Sequence, residues 1–163
     1  MGAGEQNRLT KNEYFAMMAK IAGARSICSR HKIGTVVVRD GHVISTGYNG
    51  PPKGYTHKYC EPCIKDQENI ESNHGHSLCP ATHSEANAIV QAAYHGISTK
   101  GAVMYTTLFP CDMCQRLIIN AGISEVVYLY DYPSLRNMLV EAGIPVNRIA
   151  APSSMENFEG LGR

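Results

Sequence analysis

The chain has 163 residues, of which 44% are hydrophobic and 18% are charged, and its formal net charge is +1. A chain of this size can bury the core of one ordinary domain, and this composition excludes an intrinsically disordered protein. The near-neutral charge argues against a nucleic-acid polymer as partner, because proteins that bind one usually carry a broad basic surface.

No segment reaches the roughly 18 apolar residues that a membrane span requires, and the first ten residues are polar, unlike a secretory signal. We therefore expect a cytoplasmic protein with no membrane partner. In a reducing compartment, the six cysteines are expected to be metal ligands or buried thiols rather than disulfides.

The predicted elements begin with a helix over 12–28, where apolar residues recur at helical spacing after a capping box of Thr10 and Glu13. Two strands, over 33–39 and 42–48, flank an Asp40-Gly41 hairpin turn. The remaining elements are predicted as a helix over 84–94, a strand over 102–107, a helix over 110–120, a strand over 125–130, a helix over 134–142 and a strand over 146–149.

This alternation predicts a single α/β domain over 1–163, with a mixed sheet between helices and a flexible tail over 151–163. Residues 49–80 interrupt the alternation, because they are rich in Gly, Pro, Asn and Lys and have little periodicity. A loop of about 30 residues is uncommon in a compact domain unless it is functional or internally stapled. We therefore treat 49–80 as an insertion loop with a role of its own.

Two short motifs carry metal chemistry, and each lies at a predicted helix start. One is His83-Ser84-Glu85, and the other is Pro110-Cys111-Asp112-Met113-Cys114. A catalytic zinc takes three protein ligands and leaves its fourth position to water, whose pKa falls to about 7. His83, Cys111 and Cys114 are the predicted ligands, and Glu85 is the predicted acid and base for proton transfer.

The combined H-x-E and P-C-x-x-C motifs are the signature of zinc-dependent nucleobase deaminases. The alternative is a closed Cys/His zinc knot without catalysis. That alternative needs a fourth ligand near His83 and gives Glu85 no role. The sequence therefore favours a hydrolytic deaminase over a structural zinc site.

The chain also resembles the deoxycytidylate (dCMP) deaminases of the cytidine deaminase superfamily over most of its length, from about residue 14 to 149. The resemblance is carried by the stretches 34–41 (GTVVVRDG), 47–54 (GYNGPPKG), 83–89 (HSEANAI) and 108–114 (LFPCDMC). It implies a three-layer α/β/α fold with a five-stranded mixed sheet. Alanine is commoner than serine at the middle of the first metal motif, where this chain has Ser84.

By this resemblance, nucleotide substrate or effector contacts are expected at Tyr48, Asn49, Gly50, Gly54, Asn87, Leu108 and Phe109. Asn87, two residues after Glu85, is expected near the mouth of the same cleft. A plain surface turn over 47–54 and a helix-surface amide at Asn87 remain the alternatives. His31, His42, His57 and His95 are expected to be ordinary surface histidines.

Some relatives hold a structural zinc with a cysteine after the first helix and further ligands in the long loop. The resemblance implies a second zinc here, with four ligands drawn from Cys28, Cys60, His74, His76 and Cys79, and with Cys63 in reserve. A metal staple would order a loop that has no core of its own. Free thiols with solvated histidines are the alternative.

The expected activity is therefore hydrolysis of dCMP to dUMP and ammonia, which supplies dUMP for thymidylate synthesis. The resemblance also implies a homohexamer, activation by dCTP, inhibition by dTTP and Mg²⁺ accompanying the nucleotide effectors. The alternatives are a dual dCTP/dCMP deaminase, a deaminase of tRNA or of another nucleobase, and an accessory protein without turnover. The intact Glu85 argues against the last of these.

Overall fold

The computed structural model describes residues 8–72 and 74–153, so the predicted tail from residue 154 onward lies outside the described residues. The helices are α1 (Lys11–Gly23), α2 (Ile64–Gln67), α3 (Ser84–Tyr94), α4 (Asp112–Asn120) and α5 (Met138–Glu141). The strands are β1 (Gly34–Arg39), β2 (His42–Tyr48), β3 (Val103–Leu108), β4 (Glu125–Tyr130) and β5 (Val146–Arg148). None of the described helices is long and apolar enough to cross a membrane.

The strands form one five-stranded sheet in the order β2-β1-β3-β4-β5. β1 pairs antiparallel with both β2 and β3, whereas β3, β4 and β5 run parallel to one another. Within the β1–β3 pair, Thr35 lies opposite Thr106. The sheet is therefore mixed, as predicted.

Helices cover both faces of this sheet, which confirms the three-layer α/β/α fold. On one face, α1 contributes Phe15 and Ala19 to a buried cluster with Val36, Tyr105 and Val127 of the strands. On the other face, α3, α4 and α5 contribute the buried residues Ala88, Ile118 and Leu139, which pack on Val37, Met104 and Val126. The α3 and α4 helices therefore lie side by side on the same face of the sheet.

Two local predictions are confirmed in detail. The Thr10 hydroxyl accepts a hydrogen bond from the Glu13 backbone N–H, and the Glu13 carboxylate accepts one from the Thr10 backbone N–H, so the capping box is complete. In the hairpin turn, Asp40 and Gly41 have φ angles of 52° and 77°. Two consecutive positive φ angles match the twist of the flanking strands, which is why Asp-Gly suits this turn.

The structure differs from the prediction in three elements. The first helix ends at Gly23 rather than at residue 28, and α2 is an unpredicted helical turn inside 49–80. The helix predicted over 134–142 is reduced to Met138–Glu141. Its N-cap is Asn137, whose side chain accepts a hydrogen bond from the Val140 N–H, so the helix starts four residues later than predicted.

Close backbone approaches fix α1 and α3 against the sheet. A Cβ at Gly34 of β1 would overlap the Ala19 carbonyl oxygen of α1. A Cβ at Gly47 of β2 would overlap the Ser84 carbonyl oxygen and lie 2.5 Å from the Ala88 nitrogen of α3. Both obstacles are backbone atoms, which cannot rotate away. The absence of a side chain at Gly47 therefore sets the position of the first turn of α3.

We predict that Gly47→Ala lowers the free energy of unfolding by about 1–3 kcal/mol, because β2 and α3 must separate to admit the methyl group. Gly50→Ala is the matched control, since the nearest atom to its Cβ would be Tyr48 Cε2 at 3.9 Å. Denaturant unfolding of the two variants measures the difference. Equal losses of stability would contradict the close-approach argument.

Candidate active site

The predicted metal ligands come from two helix N-termini that meet on one side of the sheet. His83 is the N-cap of α3 and Cys111 is the N-cap of α4, and neither side chain makes a capping hydrogen bond. Cys114 lies in the first turn of α4. Helix N-caps are usually Ser, Thr, Asp or Asn, whose side chains bond to the helix backbone. The two N-cap side chains here point to each other instead.

Their ligand atoms lie close together. His83 Nδ1 is 3.2 Å from Cys111 Sγ and 3.5 Å from Cys114 Sγ. All three ligand atoms lie within 4.8 Å of one another, and residues 8–72 and 74–153 contain no other group of three or more such side chains at that separation. One imidazole and two thiols suit a catalytic zinc with three protein ligands. The donor set therefore fits the predicted metal.

The electrostatics of the three groups favour a thiolate. The pKa of Cys111 is lowered to about 4, first by the hydrogen bond from Cys114 and then by His83. The pKa of Cys114 is raised, because its thiol donates to Cys111 and is itself buried. The pKa of His83 is raised by its hydrogen bond with Cys111. Since zinc binds the thiolate form, a deprotonated Cys111 prepares the site for the metal.

Glu85 lies beside the three ligand side chains and is almost completely buried, with 4% of its surface exposed. Burial raises the pKa of its carboxyl group, and the nearby His83 opposes that rise. Glu85 Oε2 accepts a hydrogen bond of 3.0 Å from Ser84 Oγ. A carboxyl group whose pKa is raised toward neutrality is suited to gaining and losing a proton during a reaction.

A pocket opens onto this group of residues, and His83, Glu85 and Cys111 line it. The other lining residues come from the segment after α1, from the insertion loop, from the end of β3 and from the segment after β4: Cys28, Arg30, His31, Ile33, Asn49, Cys63, Lys65, Ser72, His76, Cys79, Ala81, Leu108, Phe109 and Tyr132. Three predicted contact residues, Asn49, Leu108 and Phe109, are among them. We refer to this pocket as the zinc pocket.

The Asn49 side chain holds the wall of the zinc pocket together. Its Oδ1 accepts a hydrogen bond from the Ile33 N–H, and its Nδ2 donates one to the His31 carbonyl oxygen, both at 2.8 Å. Asn49 is 6% exposed. Its amide therefore fixes the segment that precedes β1, in addition to lining the pocket.

Asn87, which was expected near the mouth of the same cleft, opens onto a different pocket, and its expected nucleotide contact stays a prediction. Asn87 lines a second pocket together with Tyr48, Gly50 and Gly54, and it does not line the zinc pocket. Its Nδ2 donates to the Tyr48 carbonyl oxygen at 2.8 Å. Residues two apart on a helix point about 200° apart, so Asn87 faces away from Glu85. The predicted nucleotide contacts are thus divided between two pockets.

The sequence reasoning missed a cationic part of the zinc pocket formed by Arg30 and Lys65, which lie near His31. His31 is half-buried rather than an ordinary surface histidine, since its Nε2 lies 3.2 Å from Ser72 Oγ and its ring stands edge-on to Tyr132. Burial, followed by the charges of Arg30 and Lys65, lowers the pKa of His31. The available signal was spacing, because Arg30 follows Cys28 by two residues and Lys65 follows Cys63 by two.

Four cysteines lie near one another at this wall, and three of them, Cys28, Cys63 and Cys79, line the zinc pocket. Burial raises the pKa of Cys60, and the neighbouring Cys79, Cys28 and Cys63 raise it further. Cys60 and Cys63 also form an isolated β-bridge. His74 is exposed and bonds to the Ser72 carbonyl oxygen, whereas the ring of His76 lies 5.4 Å from that of His83. The second zinc stays a prediction. Cys63, which the sequence offered only as a reserve ligand, lies beside Cys60.

Gln115, which the sequence reasoning did not single out, is fully buried next to Cys114. Its Nε2 donates to the carbonyl oxygens of Pro110 and Arg136 and to Ser134 Oγ, and its Oε1 accepts from the Met138 N–H. It therefore connects the start of α4 to the segment that leads into α5. A buried glutamine within an apolar helix face was the available signal.

The scan against family models matches residues 9–130 to the cytidine and deoxycytidylate deaminase zinc-binding region. ComE operon protein 2 of Bacillus subtilis is 35% identical over 146 residues, covering 87% of this chain and 72% of the relative. The deoxycytidylate deaminase of Mycobacterium phage D29 is 38% identical over 122 residues, covering 72% of this chain and 92% of the relative. The matches to the Saccharomyces cerevisiae and Schizosaccharomyces pombe deoxycytidylate deaminases cover 45% of those relatives.

Among solved structures, the apo dCMP deaminase of cyanophage S-TIM5 matches with a TM-score of 0.68 and 27% identity, covering 85% of this chain and 96% of that chain. The family match spans both metal motifs and the strands that position them. The three ligand side chains meet in the geometry that such a motif requires. The chain therefore belongs to the zinc-binding cytidine and deoxycytidylate deaminase family.

Proposed function

We propose that this protein is a zinc-dependent deaminase that converts dCMP and water to dUMP and ammonia. The observation that carries the proposal is the meeting of His83 Nδ1, Cys111 Sγ and Cys114 Sγ beside the buried Glu85 carboxylate. The substrate is supported by relatives from phage, yeast and human that are named deoxycytidylate deaminases. A cyanophage enzyme of the same fold was solved in complex with dCMP and dUMP.

His83, Cys111 and Cys114 would hold the zinc, which when bound supplies Lewis-acid activation of the attacking water. Glu85 takes a proton from that water and delivers it to N3 of the cytosine ring. The water oxygen bonds to C4, Glu85 takes the remaining proton of that hydroxyl group and passes it to the amine, and the C4–N bond breaks as the C4 carbonyl forms and ammonia leaves. One carboxylate can serve every step because Glu85 is buried in the pocket wall beside His83.

We predict that Glu85→Gln lowers kcat for dCMP at least 10²-fold, because an amide neither takes the water proton nor returns it. Zinc content and the melting temperature should stay close to those of the wild type. Glu141→Gln, an exposed change on α5, is the control and should keep full activity. An ultraviolet assay of cytosine loss measures turnover, and persistent activity in Glu85→Gln would refute the assigned role.

The preference for a nucleotide over a free nucleoside is assigned to the cationic part of the zinc pocket. Arg30 Nε pairs with Asp66 Oδ1 at 2.6 Å, which fixes the guanidinium at the pocket wall. The charges of Arg30 and Lys65 both act on His31, so all three groups lie near one another. A guanidinium fork and an ammonium group are the usual partners of phosphate oxygens. We propose that Arg30 and Lys65 bind the 5′-phosphate of dCMP.

We predict that Arg30→Met and Lys65→Met each raise KM for dCMP about ten-fold, since each removes a charge-assisted hydrogen bond to the phosphate. Turnover of deoxycytidine, which has no phosphate, should not change. Lys53→Met, an exposed change at the second pocket, is the control. An equal loss of activity toward dCMP and deoxycytidine would show that these residues act on the fold and not on the phosphate.

A second, structural zinc is proposed with the ligand set Cys28, Cys60, Cys63 and Cys79. This set differs from the sequence-based one because Cys63 is buried beside Cys60, whereas His74 is exposed. Four thiolates that include a C-x-x-C pair form a common structural zinc site. No three of these sulfurs meet the 4.8 Å separation that the first site satisfies within the described residues. Metal binding would therefore draw the four cysteines together.

We predict that the purified wild type holds two zinc ions per chain, as measured by elemental analysis. Cys60→Ser and Cys63→Ser should each reduce the content to one and lower the melting temperature, because the insertion loop loses its staple. Cys111→Ser should also reduce it to one, and it should abolish turnover. His74→Ala is the control and should keep two. A wild type with one zinc would exclude the second site.

Regulation by dCTP and dTTP, the Mg²⁺ expected to accompany these effectors, the homohexamer and the cytoplasmic location stay predictions. Assays of dCMP, dCTP, deoxycytidine and cytidine, each with and without added dCTP or dTTP, distinguish dCMP turnover from dual specificity. Activity on a tRNA substrate instead would support the alternative of a tRNA deaminase. An absence of turnover on every cytosine substrate would support the accessory protein.

A further inference from the structure

A row of buried hydroxyl groups leads from the centre of the sheet to Glu85. Ser84 Oγ donates to Glu85 Oε2 at 3.0 Å and lies 2.8 Å from Thr35 Oγ1. Thr35 Oγ1 is in turn hydrogen bonded to Thr106 Oγ1 at 3.1 Å. Ser84 and Thr35 are 0% exposed and Thr106 is 1% exposed. The row therefore lies entirely within the core.

Each member of this row is held by backbone structure. Thr35 and Thr106 are cross-strand partners in β1 and β3, so their side chains project from the same face of the sheet. Ser84 is the first residue of α3, and the close approach of Gly47 fixes the backbone of that turn. The positions of the three hydroxyls are thus set by the sheet and by its contact with α3.

The hydrogen count gives Ser84 a specific role. A hydroxyl has one hydrogen to donate, and an ionised carboxylate only accepts. When Ser84 gives its hydrogen to Glu85, the Ser84 oxygen is satisfied by Thr35 at 2.8 Å only if the Thr35 hydroxyl rotates its one hydrogen from Thr106 to Ser84. A buried carboxylate oxygen without a donor is costly, and it turns to find one. Ser84, whose hydroxyl is held by Thr35, therefore opposes rotation of the Glu85 carboxylate together with the backbone hydrogen bond of Glu85 itself.

We propose that Ser84, supported by Thr35, is a positioning residue for Glu85. It holds one carboxylate oxygen, so that the other stays directed to the reacting atoms of the substrate. The inference rests on the proposed role of Glu85 in proton transfer. Ser84 itself touches neither the substrate nor the metal in this account, and its effect is on the geometry of proton transfer rather than on substrate binding.

Four variants test this proposal through kcat and KM for dCMP. Ser84→Ala and Thr35→Val, which remove a hydroxyl while nearly keeping the side-chain volume, should lower kcat about ten-fold and leave KM within about two-fold. Thr35→Ser, which keeps the hydroxyl and loses a methyl group, should keep the wild-type kcat. If Thr35 acted through packing alone, Thr35→Ser would lower kcat more than Thr35→Val does. That result would overturn the proposal.

Ser45→Ala is the matched control, because the buried Ser45 hydroxyl bonds to the Ala88 carbonyl oxygen of the same helix without touching Glu85. It should lose stability and keep the wild-type kcat. If Ser45→Ala lowers kcat as much as Ser84→Ala does, then a general loosening of α3 explains both variants and the proposal fails.

Crystal structures of the zinc-loaded wild type and Ser84→Ala provide a readout that does not depend on turnover. The Glu85 carboxylate should occupy one rotamer in the wild type and in Ser45→Ala, and more than one in Ser84→Ala. An unchanged single rotamer in Ser84→Ala would overturn the positioning role. A wild type that does not deaminate dCMP would instead refute the proposed function, while the rotamers still decide the role of Ser84.

Discussion

Two helices begin at the same place, and each begins with a metal-ligating residue at its N-cap. This convergence of α3 and α4 is the constraint on which the rest of the site depends. The side chains of His83 and Cys111 satisfy each other instead of capping their own helices, at a separation of 3.2 Å. The positive ends of two helix dipoles face the group, and they stabilise the negative charge that two thiolates bring to it. Glu85 lies in the first turn of α3 and is buried next to this group.

The sheet order explains why the convergence occurs where it does. β3 leads into α4 from the centre of the sheet, and the segment before α3 is tied to the loop after β2 by the bridge between Gly50 and Thr82. Gln115 stabilises the start of α4 by donating hydrogen bonds to the carbonyl oxygens of Pro110 and of Arg136 in the segment before α5. The described residues of the insertion loop, 49–72 and 74–80, contribute no strand to this framework. Its role at the site is to provide one wall of the zinc pocket, including Lys65.

Sequence reasoning reached the metal ligands because their motifs are local and their chemistry is specific. It also reached the hairpin turn and the capping box, since each depends on residues within four positions of one another. It failed where distant residues decide the outcome. The start of α5 was misplaced because Gln115, more than twenty positions away, accepts the Met138 N–H. The cationic groups of Arg30 and Lys65 come from two segments that lie far apart in the sequence.

The glycine contacts at Gly34 and Gly47 divide the chain into parts that differ in their tolerance of redesign. At both positions the backbone of a helix occupies the space where a side chain would lie. Any other residue at Gly34 or Gly47 would therefore displace the helix. The wall of the zinc pocket formed by the insertion loop has no such crossing with the sheet. An engineer who seeks a deaminase with a different nucleotide preference would therefore diversify the loop around Lys65 and leave the β2–α3 crossing untouched. On the roles proposed above for Glu85 and Lys65, proton transfer and the choice of substrate would be carried by separable pieces of chain.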